Sequence, residues 1–266
     1  MTTLEEAIAN AIDYETRIRD LYREAVDGTP DPKGKQVFQA LADMYPDDLE
    51  ARKRLLRETI ITADEFIQKD HHEVRIYHPD TGALSFRPLQ QGDQGSLWEH
   101  LDWTLSISSN AAAAMVMKNA MLLRHFRKDY PVSNDEADRF FEKTSRPQLR
   151  ELYEQTFLEP FTRNGLDLHS FRQGSFFTRY GKRRVPTGYN SYGTARELMR
   201  FILLMEQGKL VDLFSSREIK RLLYMTERRI RYASSPALYD SAVYFKSGSL
   251  YSCKEEVGFT CKKYHG

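Results

Sequence analysis

Cysteine is nearly absent: Cys253 and Cys261 are the only two in 266 residues. Their offset suits two strands of a hairpin facing each other. Spacing leaves a disulfide and a pair of free thiols equally open, and only the first implies an oxidising compartment. An excess of charge of one sign is also missing. The formal net charge is +1, which excludes a general attraction to nucleic acid or to anionic lipid. No apolar run approaches the ~20 residues that a membrane span requires; the longest, around 111–117 and 201–205, are too short. The amino terminus, Met1-Thr2-Thr3-Leu4-Glu5-Glu6, is acidic and amphipathic, which is not the pattern of a secretory signal. Internal repeats and low-complexity segments are lacking as well.

What is present describes a globular chain. Hydrophobic residues make up 41% and charged residues 29%, so the chain can bury a core and is not of the disordered class. Its length allows one large domain or two ordinary ones.

The two ends differ in texture. Leu4, Ile8, Ala11, Glu15, Ile18, Tyr22 and Ala25 recur at three- and four-residue steps, predicting one helix over 3–27 that Gly28-Thr29-Pro30-Asp31-Pro32 ends. A second helix carries Val37, Leu41, Met44, Asp48 and Leu55, giving an antiparallel helical hairpin. Beyond about Ile61 the pattern becomes mixed. Short strands are expected at 73–77 and 84–87, a helical block from 96 to 157, and a small hairpin at 176–185 split by Gly181. Ser133 and Glu136 have the spacing of a capping box. Helices follow over 194–207, stopped by Gly208, and from a Ser216 cap to 226, then strands at 241–247 and 259–264.

Glu15 lies on an apolar stripe, where a carboxylate must be paired, protonated or bound to metal. Leu4-Glu5-Glu6-Ala7-Ile8, Tyr14-Glu15 with Tyr22, and Gly34-Lys35-Gln36-Val37-Phe38 leading to Leu41-Ala42-Asp43 resemble the rubrerythrin and ferritin-like family over residues 3–61. The resemblance implies that Glu15 stands at an iron-ligand position. The second helix departs from the family, because Tyr45 and Asp48 replace its Glu and His. Pro46 also removes a helical hydrogen bond there, at about 3 kcal/mol. Glu15 and Asp48 are therefore weak metal candidates, and no metal or other cofactor is expected. The hairpin reads as a packing element through which copies of the chain could pair over residues 1–60.

A second constellation is richer. Ser108-Ser109-Asn110 precedes a helix that opens with four alanines, and Tyr244-Phe245-Lys246-Ser247-Gly248-Ser249-Leu250 places a lysine before very small residues. Small residues weaken a strand and are tolerated where a ligand or another backbone comes close. Ser-x-Asn followed by Lys-Ser-Gly resembles the penicillin-recognising serine hydrolases, the β-lactamases and D-alanyl-D-alanine peptidases. The intervening stretch from Thr194 to Leu223, with Thr194, Arg196, Glu197 and Gly208, resembles the helix pair before the lysine strand of class A enzymes. The likeness spans about residues 96–266.

The resemblance implies acyl transfer on β-lactams or D-Ala-D-Ala-type amides of peptidoglycan. Lys246 would supply positive charge beside Ser108 and the substrate carboxylate, and Ser108 would relay a proton to the leaving nitrogen. Asn110 would hold the substrate amide, Ser247 would bind the carboxylate, and Gly248 would leave room for a substrate lying along the strand. Yet no serine in the chain is followed by lysine at the third position. The family nucleophile is missing, so the chain as written is expected to be inactive or nearly so. The chain also stops before the family's final strands and carboxyl-terminal helix. Ser108 acting as nucleophile with Lys246 as base would reverse the usual roles. Glu159-Pro160 with Asn164 only faintly matches the deacylating glutamate, its spacing one residue too long.

Together these readings predict an α+β chain. A ferritin-like α-hairpin fills residues 1–65, and a partial β-lactamase-like domain with a helical block and an incomplete antiparallel sheet fills 66–266. The alternative is a ferritin-like metal-binding protein, or a structural or chimeric one, without catalysis. The hydrolase family would suggest the periplasm, although no signal is recognised here. His71-His72 and Lys182-Arg183-Arg184 read as solvated surface, and Trp98 and Trp103 as core.

Overall fold

The computed structural model describes residues 4–42, 49–68, 71–78, 80–226, 229–254 and 260–265. In chain order the helices and strands are α1 (Leu4–Gly28), α2 (Pro32–Ala42), α3 (Leu49–Glu58), β1 (Ile60–Thr62), β2 (Glu73–His78), β3 (Ala83–Pro88) and β4 (Gln94–Ser96). Then come α4 (Leu97–Asp102), α5 (Asn110–Phe126), α6 (Asn134–Lys143), α7 (Arg146–Tyr153), α8 (Glu159–Arg163), β5 (Phe171–Arg172) and α9 (Arg179–Arg184). The remainder is β6 (Tyr192–Gly193), α10 (Ala195–Glu206), α11 (Leu213–Tyr224), β7 (Ser249–Lys254) and β8 (Thr260–His265). Helix and strand are mixed, as the α+β reading expects. Among the described residues the strands form separate two-stranded pairs, β1–β4, β2–β3, β5–β6 and β7–β8. No described helix is long and apolar enough to cross a membrane.

The chain divides into two compact units. The first comprises residues 1–60, 157–173 and 191–219. Here α1 packs against α2; Ile18, Tyr22 and Ala25 of the expected stripe are half-buried, Val26 and Ala42 are buried, and Tyr14 and Leu21 are exposed. Arg52 of α3 bonds Asp212 at 2.6 Å. Phe171 stacks between Phe161 and Phe201, at 5.3 and 5.7 Å. Thr194 caps α10, and Gly208, at φ +68°, ends it where a side chain would be strained. Met205 is buried on α10, whereas Leu198 and Ile202, at helical spacing from it, are exposed.

The second unit comprises residues 61–156, 174–190 and 220–266. Its core is built on α5, whose Ala111–Ala114 are all buried; residues this small let α4, α7 and the short 3-10 helix Glu65–Ile67 pack against it. β2 and β3 pair antiparallel from Glu73 opposite Pro88 to His78 opposite Ala83, around the expected turn. β7 and β8 pair so that Cys253 lies opposite Cys261 in register.

Four local expectations are corrected. Residues 179–184 are helical, not strand: Thr178 caps the helix, and a Cβ on Gly181 would stand 2.6 Å from the Phe176 ring, so that glycine serves close packing and not a turn. Asp212, not Ser216, caps α11, accepting from Ser215 N at 2.7 Å; Ser216 is buried, bonded through its Oγ to the Leu210 backbone. Ser133 caps α6 by accepting from Glu136 N, whereas reciprocal capping boxes form at Ser96–Glu99 and Ser145–Gln148. The stretch 242–248 is not a strand; pairing begins at Ser249. Its backbone is engaged elsewhere, with Phe245 N donating to Leu223 O at 3.1 Å and Phe245 O accepting from Thr226 Oγ at 2.8 Å.

Candidate serine–lysine site

The site begins with the capping box of α4, in which Ser96 accepts from Glu99 N and Glu99 accepts from Ser96 N. α4 runs straight into a π-helical turn, Trp103–Ile107, which widens the helix and re-aims the chain. The amide of Ser109 closes this turn on the Trp103 carbonyl at 3.1 Å. Ser108 is left in the left-handed region, at φ 67° and ψ 34°, uncommon and strained for a residue with a Cβ.

The three residues of Ser108-Ser109-Asn110 then separate by role. Ser109 is buried and is the helix cap, its Oγ accepting from Ala112 N at 3.2 Å. Asn110 opens α5 and is half-buried, and its side-chain amide bonds to no described residue. Ser108 is half-buried and spends its hydroxyl on Lys246, whose Nζ lies 2.6 Å from Ser108 Oγ. Of the three, Ser109 alone serves as the helix cap.

Lys246 arrives on the irregular stretch held by Phe245. That ring is buried and packs edge-on to Tyr232, at 5.9 Å. The ammonium also donates to the Ser247 carbonyl at 2.7 Å. Although the residue as a whole reaches solvent, its charged end is partly desolvated, which pushes its pKa below the ordinary lysine value. Among the described residues no carboxylate lies within ion-pair distance of it. The positive end of α5 adds to the same local potential. Gly248, two residues on, faces open space, since a Cβ there would meet nothing within 4 Å.

Lys118 shows how this unit treats a lysine it keeps for structure. It sits on the buried stripe of α5 with Ala111, Ala114 and Met121. Its Nζ bonds Asp64 and, at 3.1 Å, Asp138, and lies 5.3 and 5.7 Å from the Phe66 and Phe141 rings. A lysine among the alanines and methionines of a helix stripe is a signal visible in the sequence, and the sequence reading passed over it. It also passed over His100, which is fully buried beside Trp103 at 4.9 Å. His100 Nδ1 pairs with the Ser96 carbonyl at 3.0 Å, and Nε2 has no partner among the described residues.

Of the sequence-derived site residues, the structure brings Ser108 and Lys246 together; Ser247 meets the same ammonium through its backbone carbonyl, and Asn110 and Gly248 lie two residues along the chain from Ser108 and Lys246. Glu159 pairs with Arg163 at 3.2 Å, and Asn164 Oδ1 accepts from Val211 N at 2.8 Å; both belong to the first unit and have structural partners. The side chain of Glu15, Asp48 altogether, and the side chains of Cys253 and Cys261 lie outside the described residues. No family model, curated protein or solved structure matches the chain.

Proposed function

We propose that the Ser108–Lys246 site binds an amide or lactam bearing a carboxylate. This is the ligand class of the penicillin-recognising serine hydrolases that the sequence resembles, β-lactams and D-Ala-D-Ala-type peptides included. One observation supports it above the rest. A lysine 138 residues from Ser108 in sequence donates to that hydroxyl at 2.6 Å, with no carboxylate among the described residues to neutralise it. An ammonium held partly out of water without a counter-ion favours an anion. At 4 Å and an effective dielectric of about 20 the attraction is about 4 kcal/mol, before the ligand's own desolvation.

The remaining roles follow the chemistry of each side chain. Lys246 takes the carboxylate, with the Ser247 hydroxyl as a second donor. Asn110 offers both a donor and an acceptor to the substrate amide. Gly248 leaves room for the ligand's backbone. Ser108, bonded to Lys246, is placed to move a proton to or from a reacting nitrogen.

A fluorescent penicillin titrated into the full chain tests this by anisotropy. Saturable binding is expected, weakened by about 10- to 100-fold in Lys246→Ala, the loss of one charge-assisted hydrogen bond. Absence of saturable binding, or binding indifferent to Lys246, would overturn it.

A further inference from the structure

We propose that Ser108 is itself the nucleophile of this site and that Lys246 is its general base. The inference rests on the reading above that the site takes an acyl ligand.

Three features of the geometry converge on Ser108. First, its backbone is left-handed at φ 67°, a conformation strained for a residue with a side chain and kept chiefly where function or packing demands it. Second, that residue terminates a π-helical turn and stands just before the N-terminus of α5, a strained bend that lifts a hydroxyl out of the backbone's own hydrogen bonding. The nucleophile elbow of other hydrolases uses the same physical device, a sharp turn into a helix. Third, its Oγ is not spent on capping, because Ser109 caps α5; it is paired with Lys246 Nζ. A nucleophile and a base within hydrogen-bond reach are the minimum of a serine–lysine dyad.

The lysine suits the role for the reason Lys118 does not. Lys118 is ion-paired with Asp64 and Asp138. Lys246 has no such carboxylate and is partly desolvated, so it can lose its proton more readily than an ordinary lysine.

The step balances without a further reagent. Neutral Lys246 Nζ takes the proton from Ser108 Oγ as that oxygen attacks the carbonyl carbon, and the carbonyl electron pair moves onto oxygen. The carbon–nitrogen bond then breaks, and the Lys246 ammonium gives its proton to the departing nitrogen. An ester on Ser108 and a neutral lysine remain. Water, deprotonated by the same amine, attacks the ester carbon. The ester C–O bond breaks, and Ser108 Oγ regains its proton as the free acid leaves.

Binding and attack then draw on opposite forms of one lysine. Reversible affinity for the carboxylate falls as pH rises through the Lys246 pKa, whereas the rate of acylation rises.

The test is the intact mass of the full chain after incubation with benzylpenicillin, followed by peptide mapping. Ser108→Gly and Lys246→Ala are run alongside, with the fluorescent-penicillin titration on each. Glycine accepts φ near +67°, so Ser108→Gly removes the hydroxyl without endangering the fold. The expected result is a gain of one penicillin mapped to Ser108, absent in Ser108→Gly and formed about 100-fold or more slowly in Lys246→Ala. An adduct on any other residue overturns the assignment. So does neither an adduct nor any hydrolysis of benzylpenicillin by a protein that still binds it reversibly through Lys246, in which case the binding reading survives. No adduct and no binding overturns both.

Discussion

Thr226 Oγ donates to the carbonyl of Phe245 at 2.8 Å, and this buried bond fixes the residue directly before Lys246. With the Phe245 amide tied to the Leu223 carbonyl, the ammonium is aimed at Ser108 by an irregular stretch whose hydrogen bonds are satisfied by the end of α11 and its following turn. Substituting Thr226→Val keeps the volume and leaves the Phe245 carbonyl unpaired. A destabilisation of about 1–3 kcal/mol is expected in urea unfolding. The affinity for fluorescent penicillin should fall with it at pH 7, although Thr226 touches no ligand. Unchanged affinity in the folded variant would show that Lys246 does not depend on this anchor.

Ser108 should be a site where stability and function oppose each other. Its left-handed backbone is strained with a side chain and relaxed with none, so Ser108→Gly is expected to raise stability by up to about 1 kcal/mol. Thermal and urea unfolding of the two proteins measure this. A clear loss of stability in Ser108→Gly would mean that the contact with Lys246 outweighs the backbone strain.

Lys118 carries the opposite expectation. Its side chain is 5% exposed and is neutralised by Asp64 and Asp138, the latter 57% exposed. Lys118→Met leaves Asp64 without its counter-ion, and about 3 kcal/mol should be lost. Asp138→Asn removes only the solvated member and should cost less than about 1 kcal/mol. Equal losses for the two would contradict the division between a buried pair and a surface one.

His100 predicts how stability depends on pH. Burial holds its pKa below the ordinary histidine value, against opposing pulls from its bond to Ser96 and the nearby Glu99 and Asp93. The folded form keeps the ring neutral, while the unfolded chain takes up a proton near pH 6.5. Stability from this group is therefore complete above about pH 6.5 and declines as pH falls below it, towards the lower folded pKa. Asp93, lowered by Arg87 against its own burial, acts further down, below about pH 4. Urea unfolding between pH 5 and 7.5 should show the His100 slope, and His100→Gln should flatten it. An identical slope in that variant would assign the effect to another group.

Much of the fold was legible because periodicity and caps report local structure. The stripe of α1, the Thr194 cap with the Gly208 stop, and the β2–β3 hairpin all rest on neighbours in sequence. The errors came where a distant partner decided the outcome. Residues 176–185 contain glycine and apolar residues in a pattern that suits a hairpin, but the Phe176 ring, packed on the distant Phe66 and Tyr153, lies against Gly181, and the segment is helical. The 241–247 stretch has strand composition, yet Phe245 finds its hydrogen bonds at Leu223 and Thr226 and not on a neighbouring strand. At the site, the sequence offered Ser108, Asn110 and Lys246 as a set through their order. It could not show that Ser109 takes the capping role, nor that Ser108 adopts a positive φ, because nothing in a serine's identity announces either.

The most direct measurement is a pH titration of the lysine side chains by NMR, with carbon-13 at the Cε positions and Lys246 assigned through Lys246→Arg. Lys246 is expected to titrate below the other solvent-accessible lysines, and its signal should move when a penicillin is added at pH 7. A Lys246 signal that titrates with the bulk and ignores the ligand would mean that the ammonium beside Ser108 is an ordinary surface charge.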